Sequence, residues 1–461
     1  MLPDLILLEI FDLYLFEQMG ERWHTLVHVC HKWRNVVFGS PHRLDLRLIC
    51  TARTLVRKTL DVWPLLPIVV LGFDLKAWGL DNIIAALEHT DRIYQLILNF
   101  RLSILQLEKV LAAMLQPFPA LTSLRLQFLP IHESLPVVPA SFLGGHAPRL
   151  HTLSLQGIPL PGLPKLLLSA THLVSLHLWC IPPSGYISPK AMVTALSVLT
   201  MLENLGIGFM FCRGRPDPRS RHPPPLIRSL LPFLTTLVFD GVSEYLEDLV
   251  AQIDAPILKT LRMVFSHRLI FDTPQVTQFI GRSPKFKAQA SAEAHMDFSD
   301  RQVRVELPRW SLDTKIEFTI LCRQSDWQLS SLAQVCGSSF PQSLIPPVEY
   351  LYIEGRQVEL HWQDDIENIQ WLELLQPFTG VKELYLSQAF GPHIVPVLKE
   401  LIGEGATEVL LPALQILFLE EPLPSGPVKK IIEQFVAARQ LAGRPVALSI
   451  WDSTRHMSRS A

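Results

Sequence analysis

Leucine recurs along the chain at a short fixed spacing. In Leu121-Thr122-Ser123-Leu124-Arg125-Leu126, leucines fill the first, fourth and sixth places and polar or small residues fill the rest. The same word returns as Leu150-His151-Thr152-Leu153-Ser154-Leu155 and as Leu173-Val174-Ser175-Leu176-His177-Leu178. Alternation over the last places of each word is the mark of a strand with one buried side. One short strand written many times predicts stacked repeats, each burying its apolar side against its neighbours. In such a layout, function sits on a repetitive surface and not in a single pocket.

Strand words begin at Leu66, Ile93, Leu121, Leu150, Leu173, Leu202, Leu234 and Leu258, with weaker ones near Phe286 and Ile316. Clear words return at Val348, Val381 and Leu414. Their spacing runs from 23 residues between Leu150 and Leu173 to 33 between Val381 and Leu414. That lies near, and slightly above, the period of about 20–29 residues typical of leucine-rich repeats. Helical patterns fall between the words, at Asp81–His89, Leu105–Leu115, Pro189–Leu199, Leu329–Val335, Ile366–Leu375 and Val428–Ala438. Region 286–321 fits the repeat worst. Phe298, Val303, Val305, Leu307, Ile316, Phe318 and Ile320 alternate there, as strands with an inserted hairpin would.

The front of the chain reads differently. Pro3 suits a first helical turn, where its missing N–H costs nothing. Leu7, Ile10 and Phe11 then fall on one helical face, and Trp23, Leu26, Val27, Cys30, Trp33, Val36 and Val37 form a second apolar stripe. Gly39-Ser40-Pro41 stops that helix. The expectation is a helical hairpin over residues 1–48, too small to bury its own apolar surface well, followed by repeats over 49–461.

This front segment resembles the F-box. The family spells Leu-Pro, several apolar residues, Ile-Phe, a gap, Val-Cys, two residues and Trp-Arg. Leu2-Pro3, Ile10-Phe11, Val29-Cys30 and Trp33-Arg34 match in order, over about a tenth of the chain. Leu5 departs from the pattern, standing where the family usually has Glu, and the chain starts at Met1 with nothing ahead of the first helix. The whole layout is similar to the F-box, leucine-rich-repeat-like proteins of mushroom-forming fungi. Asp326-Trp327-Gln328-Leu329-Ser330-Ser331-Leu332-Ala333-Gln334-Val335-Cys336, Trp371-Leu372-Glu373-Leu374-Leu375-Gln376-Pro377-Phe378 and Arg439-Gln440-Leu441 carry that likeness. The family's Asn or Cys after the strand is mostly missing, with Gln127, Gly157 and Cys180 in its neighbourhood.

The resemblance implies an α/β fold: a short N-terminal helical F-box, then an irregular leucine-rich-repeat-like solenoid with a parallel sheet on its concave face. It further implies the substrate-recognition subunit of an SCF-type ubiquitin ligase. The N-terminal helices would dock a Skp-type adaptor, and through it a cullin, by Leu2, Pro3, Ile10, Phe11, Val29, Cys30 and Trp33, or by the core beneath them. The solenoid would hold a target protein. The alternative is a solenoid scaffold or binding module outside any ligase, with the helices as a cap.

Strand geometry nominates the target face. Leucines at the fourth and sixth places point inward, so the residue between them points to the other side. These residues are Arg125, Ser154, His177, Val238, Arg262, Tyr352, Tyr385 and Phe418, with Trp179, Tyr350 and Glu354 beside them. Aromatic and Arg side chains are common at binding hot spots. The set Tyr350, Tyr352 and Tyr385 is therefore the leading recognition patch, with Arg125, His177, Trp179 and Arg262 as further candidates. A second feature, Arg213 to Pro225, holds four arginines, one acid and five prolines. It reads as an exposed loop between the words at Leu202 and Leu234, open to an acidic or proline-reading partner.

Composition narrows the classes. Hydrophobic residues make up 48% and charged residues 18%, enough for a large core. Lys+Arg 41 against Asp+Glu 43 leaves a formal net charge of -2, which argues against nucleic-acid and acidic-membrane partners. Cys30, Cys50, Cys180, Cys212, Cys322 and Cys336 are scattered without a CxxC pair. They read as reduced, mostly buried thiols of a cytoplasmic or nuclear protein. Asp4, Glu9 and Asp12 interrupt the apolar start, so no signal peptide is expected, and no apolar run suits a membrane span. No catalytic motif appears. His24 and His28 share a helical face while Cys30 and His31 point elsewhere, which does not make a four-ligand zinc site. The expectation is a non-enzyme without cofactor or metal.

Overall fold

The first apolar residue of most strand words closes a turn ahead of the strand. Leu121, Leu150, Leu173, Leu202, Leu234, Leu258, Val348, Val381 and Leu414 each donate their N–H to the carbonyl three residues back, at 3.0–3.4 Å, and all are buried. The next residue then donates to the preceding word. Thr122 donates to Tyr94, His151 to Thr122 and Val174 to His151, at 2.8–2.9 Å. The strand proper starts one residue later still, at Ser123, Thr152 or Ser175.

The computed structural model describes residues 2–17, 23–41, 43–72, 79–100, 104–128, 137–210, 228–266, 273–288, 293–307, 314–322, 325–340, 345, 347–355, 367–390, 394, 397, 410–421 and 426–451. In chain order come α1 (Asp4–Glu17), α2 (Trp23–Val27), α3 (His31–Gly39), β1 (Leu48–Thr51), α4 (Val56–Val62), β2 (Ile68–Gly72), α5 (Leu80–Leu87), β3 (Ile93–Phe100) and α6 (Ile104–Ala113). Next are β4 (Ser123–Phe128), β5 (Thr152–Gln156), α7 (Leu163–Leu167), β6 (Ser175–Ile181), α8 (Pro189–Leu196), β7 (Asn204–Phe209), β8 (Ser229–Leu230), β9 (Thr236–Gly241), α9 (Ser243–Val250), β10 (Ile253–Asp254) and β11 (Thr260–Ser266). The rest are α10 (Pro274–Arg282), α11 (Pro284–Ala288), β12 (Glu293–Phe298), β13 (Gln302–Leu307), β14 (Lys315–Leu321), α12 (Ser325–Gln334), β15 (Tyr350–Gly355), α13 (Glu367–Leu375), β16 (Glu383–Leu386), β17 (Ile416–Glu420), α14 (Pro427–Leu441) and β18 (Ala447–Trp451).

The fold is mixed α/β, and its sheet strands are mostly parallel. Two compact units divide the chain: Met1–Ile187 with Thr194–Leu202, and Ser188–Val193 with Glu203–Ala461. In the first, β1 to β6 pair in parallel in chain order. The register stacks Leu96, Leu124, Leu153 and Leu176 in one buried row and Leu98, Leu126, Leu155 and Leu178 in the next. In the second unit the order is β7-β9-β11-β14-β13-β12-β15-β16-β17-β18. The expected hairpin is there: β13 runs antiparallel to both β12 and β14, while β14 stays parallel to β11 and β12 to β15. Phe286 begins no strand, because Pro284 opens the short helix α11 around it.

The front is three helices where the apolar stripe predicted two. Cys30, at φ -159 and ψ 170, is extended and separates α2 from α3. Arg34 Nε donates to the Val27 carbonyl at 3.0 Å, taking the acceptor that a continuous helix would have offered to the His31 N–H. This break exposes the Cys30 thiol, against expectation. Cys50 and Cys336 are buried as expected, and burial pushes the Cys50 thiol up to about 11. Cys180 and Cys322 are half-buried, and Cys212 and the Arg213–Pro225 stretch lie outside the described residues. Among the described residues, no helix is long and apolar enough to cross a membrane. Trimming Leu153 to Ala removes a side chain from the middle of a sealed row and should cost about 3 kcal/mol. Leu168→Ala, at an exposed position just past α7, should stay within about 0.5 kcal/mol. Denaturant unfolding of both variants separates the two, and equal losses would contradict the row.

Candidate docking surfaces

Helix α1 is apolar on two opposite sides. Leu7, Leu8 and Phe11 point into the unit and are buried, while Leu5 (68% exposed), Ile10 (43%) and Leu13 (67%) face out with Leu2 and Ile6. The expectation that Ile10 shares the buried side with Leu7 and Phe11 is therefore corrected. Lys32 holds the start of α1, donating to the Leu2 carbonyl at 2.7 Å and pairing with Asp4 at 3.1 Å. Arg43 pairs with Glu9 further along. Val29 is exposed in the turn before Cys30. Beneath this surface, Phe11 is fully buried and Trp33 meets it edge-on at 4.8 Å and 61°. Pro3 precedes the helix, and its carbonyl accepts from the Leu7 N–H at 3.1 Å. Of the seven residues singled out at the front, Leu2, Pro3, Ile10, Val29 and Cys30 are thus at the surface, and Phe11 and Trp33 form the layer below.

The same helices are seated on the first repeat. Trp23 Nε1 donates to the Arg47 carbonyl at 2.7 Å, and its ring meets Trp63 at 5.2 Å and Phe38 at 6.0 Å. His28 also lies edge-on to Trp63, at 5.9 Å. His24 meets Trp23 edge-on at 6.5 Å, and among the described residues no cluster of His, Cys, Asp or Glu is placed to hold a metal ion.

On the first unit's sheet, the side away from the leucine rows carries Ile97, Arg125, Ser154 and His177 in one row. Asn99, Gln127, Gln156 and Trp179 form the next. Arg125 is exposed, and His177 and Trp179 are half-buried with their rings stacked at 6.3 Å. Burial, and secondly the positive Arg125, push the His177 imidazole below its ordinary 6.5. The surface is uncharged apart from Arg125 and rich in amides and hydroxyls.

The second unit carries a continuous row on the corresponding side. It runs Val238, Arg262, Glu317, Glu306, His295, Tyr352, Tyr385, Phe418 and Ser449. Its first half is charged. Arg262 pairs with the buried Glu317 at 3.1 Å, and Lys315 bridges Glu317 at 3.0 Å and Glu306 at 3.1 Å. Its second half is a stack of parallel rings: His295 on Tyr352 at 4.2 Å, Tyr352 on Tyr385 at 4.2 Å, and Tyr385 on Phe418 at 4.3 Å. Trp451 closes over the stack edge-on, 5.6 Å from Tyr385 and 6.2 Å from Tyr352, and donates from Nε1 to the Leu386 carbonyl at 3.1 Å. The Tyr385 hydroxyl donates to Glu383 at 2.6 Å.

This arrangement corrects the leading recognition patch. Tyr352 and Tyr385 keep only 6% and 9% of their exposure, since their faces are used against neighbouring rings. Burial, reinforced by Glu293, pushes the Tyr352 phenol up to about 12. Tyr350 and Phe418 are half-buried at the margin of the cluster and keep surface to offer. Arg262 also remains accessible beside its partner. Sequence reasoning missed His295 and Trp451, which join the row only through the hairpin and through a last strand without a leucine word. No protein-family model and no curated protein matches the sequence.

Two outcomes are expected. Tyr385→Ala should cost about 3 kcal/mol, as for other buried aromatics, and Tyr350→Ala clearly less; similar losses in denaturant unfolding would dissolve the stack. In an NMR titration, His177 should turn over below 6.5, and Arg125→Gln should raise the midpoint only partway, because burial is the larger cause. The sign follows from linkage: a neutral form favoured by folding costs stability as pH falls below the ordinary value. A midpoint at or above 6.5 would contradict this.

Proposed function

We propose that the protein is the substrate-recognition subunit of an SCF-type ubiquitin ligase. The observation that supports this most is the outward apolar side of α1. Leu2, Leu5, Ile6, Ile10 and Leu13, with Val29 beside Cys30, form a greasy surface on a helix whose other side is already packed. A monomer gains nothing by exposing such a strip, whereas an adaptor docking on it removes the strip from water. The F-box spelling falls on this surface and on the layer below it. Phe11 and Trp33 make the floor, Leu2, Ile10 and Val29 the contact, and Arg34 the bond that separates α2 from α3. Leu5, the departure from the family pattern, adds to the apolar contact.

In this reading a Skp-type adaptor binds the three helices and links them to a cullin. The repeats that follow form a solenoid whose sheet face holds a target protein. Catalysis comes from proximity, because docking raises the local concentration of target lysines near the ubiquitin-carrying enzyme. Arg125, His177 and Trp179 on the first unit's sheet, and Arg262 and Tyr350 on the second's, keep accessible surface and are the candidates for target contact. A second reading, a scaffold outside any ligase with the helices as a cap, is favoured by the Trp23, Phe38 and Trp63 packing.

Ile10→Asp with Leu13→Asp separates them. Both side chains are exposed, so the fold should be retained, with an unchanged circular dichroism spectrum and melting point. Co-purification of the adaptor with the wild-type chain, and its loss by more than tenfold in the double variant, is the expected result. A wild-type chain that captures no adaptor, or a variant that captures it equally, would leave the cap reading.

A further inference from the structure

Two apolar rows cross the second unit on the buried side of its sheet. One passes Leu351, Leu384 and Leu417 and ends on Leu448. The other passes Met296, Ile353, Leu386 and Leu419 and ends on Ile450. Every member as far as β17 is buried, but Leu448 and Ile450 are 45% and 47% exposed. They belong to β18, the last strand in the sheet order, so the described residues offer its outer edge no partner strand. At the first strand in the order, β1, the equivalent residues Leu48 and Cys50 are buried.

The backbone of β18 is poised in the same way. Ala447 N–H donates to the Gln415 carbonyl at 2.8 Å, so the odd-numbered residues turn their backbone groups to β17. By alternation, Leu448 and Ile450 turn theirs outward. Monomers blunt such an edge with a charge, a proline or a bulge. Ala447-Leu448-Ser449-Ile450-Trp451 has no charge and no proline, and its register to β17 is unbroken.

We propose that β18 is a homodimer seam, at which a second copy of the chain adds its own β18, antiparallel, about a two-fold axis through Ser449. This register makes the strand complementary to itself. Leu448 faces Ile450 of the partner subunit across a narrow, hydrogen-bonded pair, and both lie in the apolar layer whose rows they extend. On the other side, Ala447 faces Trp451 of the partner subunit, small against large. Room exists there because Trp451 leans inward onto Tyr352 and Tyr385. Self-pairing usually fails where like charges meet across the axis, and this strand carries none. The residues after Trp451, Asp452 to Ala461, have Met457 and Ala461 as their only hydrophobic members, so they do not spell the alternating pair that the edge requires. A second copy carries it by construction.

Sedimentation velocity on the full chain, from nanomolar to tens of micromolar, tests this. The wild type should pass from monomer to dimer, and Leu448→Lys with Ile450→Lys should stay monomeric with an unchanged circular dichroism spectrum. A second variant fixes the register. Ser449→Cys, in a background with Cys30→Ser and Cys212→Ser, should form a disulfide dimer under mild oxidation. A non-hydrogen-bonded antiparallel pair sets its Cα atoms about 4.5 Å apart, within disulfide reach. A wild type that is monomeric throughout, a dimer that the charged variant retains, or no cross-link through Ser449→Cys each overturns the proposal.

Discussion

The second place of the strand word, where one repeat's backbone N–H meets the previous repeat's carbonyl, holds the register of both units. Tyr94, Thr122, His151 and Val174 form one such staircase, Glu203, Thr235 and Lys259 a second, and Glu349, Lys382 and Gln415 a third. Each step is 2.7–2.9 Å, and the side chains involved are unrelated in kind. The bond is made by backbone, so the place tolerates Thr, His, Val, Lys or Gln. A slip of one residue would turn every leucine row to the polar side. The first leucine, locked in its turn, prevents that slip from one end, and the rows prevent it along the strand.

Side chains tie the repeats together a second time. Carbonyls in the turns between strands are satisfied by side chains of several kinds. Asn82 donates to the Ala52 carbonyl at 2.7 Å, Arg92 to that of Leu66 at 3.0 Å, and Ser283 to that of Ala255 at 3.4 Å. Arg439 reaches the Leu411 and Leu414 carbonyls at 3.2 and 3.3 Å. The buried Glu247 does the converse, accepting from the N–H groups of Gln275 and Val276 and so capping α10. A buried polar group left unmade costs more than a made one contributes. Different residues therefore solved the same problem, with no repeated letter to reveal it.

This explains what was legible in the sequence. The leucine words located the strands to within two residues, because a period of two and a buried side leave few alternatives. Helices α5, α6, α8, α12, α13 and α14 fell where the intervening patterns put them, within a few residues at their ends. Strand β18 was missed because Ala447-Leu448-Ser449-Ile450-Trp451 lacks the entry leucine. The break at Cys30 was missed because it depends on Arg34 reaching Val27, a contact that no periodicity encodes. The outward residues Arg125, Ser154 and His177, and Tyr352, Tyr385 and Phe418, were placed in register correctly. The accessibility of Tyr352 and Tyr385 was not, since alternation gives the side of a sheet and says nothing of what packs there.

The hairpin shows how an irregular insertion keeps a regular frame. A parallel stack accepts added strands only in twos, because β14 must stay parallel to β11 and β12 to β15. With β13 reversed between them, both junctions are satisfied. The inserted strands bring charge with them: Glu317, Lys315, Glu306, Arg304 and Asp297 pair among themselves and with Arg262. A carboxylate as buried as Glu317 is tolerated because it has Arg262 and Lys315 on either side, and removing one of them would leave a charge away from water with half its compensation. The insertion also delivers His295 to the head of the aromatic stack. The ring row therefore begins where the hairpin breaks the repeat, and the irregular segment is what joins a charged half of the sheet face to an aromatic one.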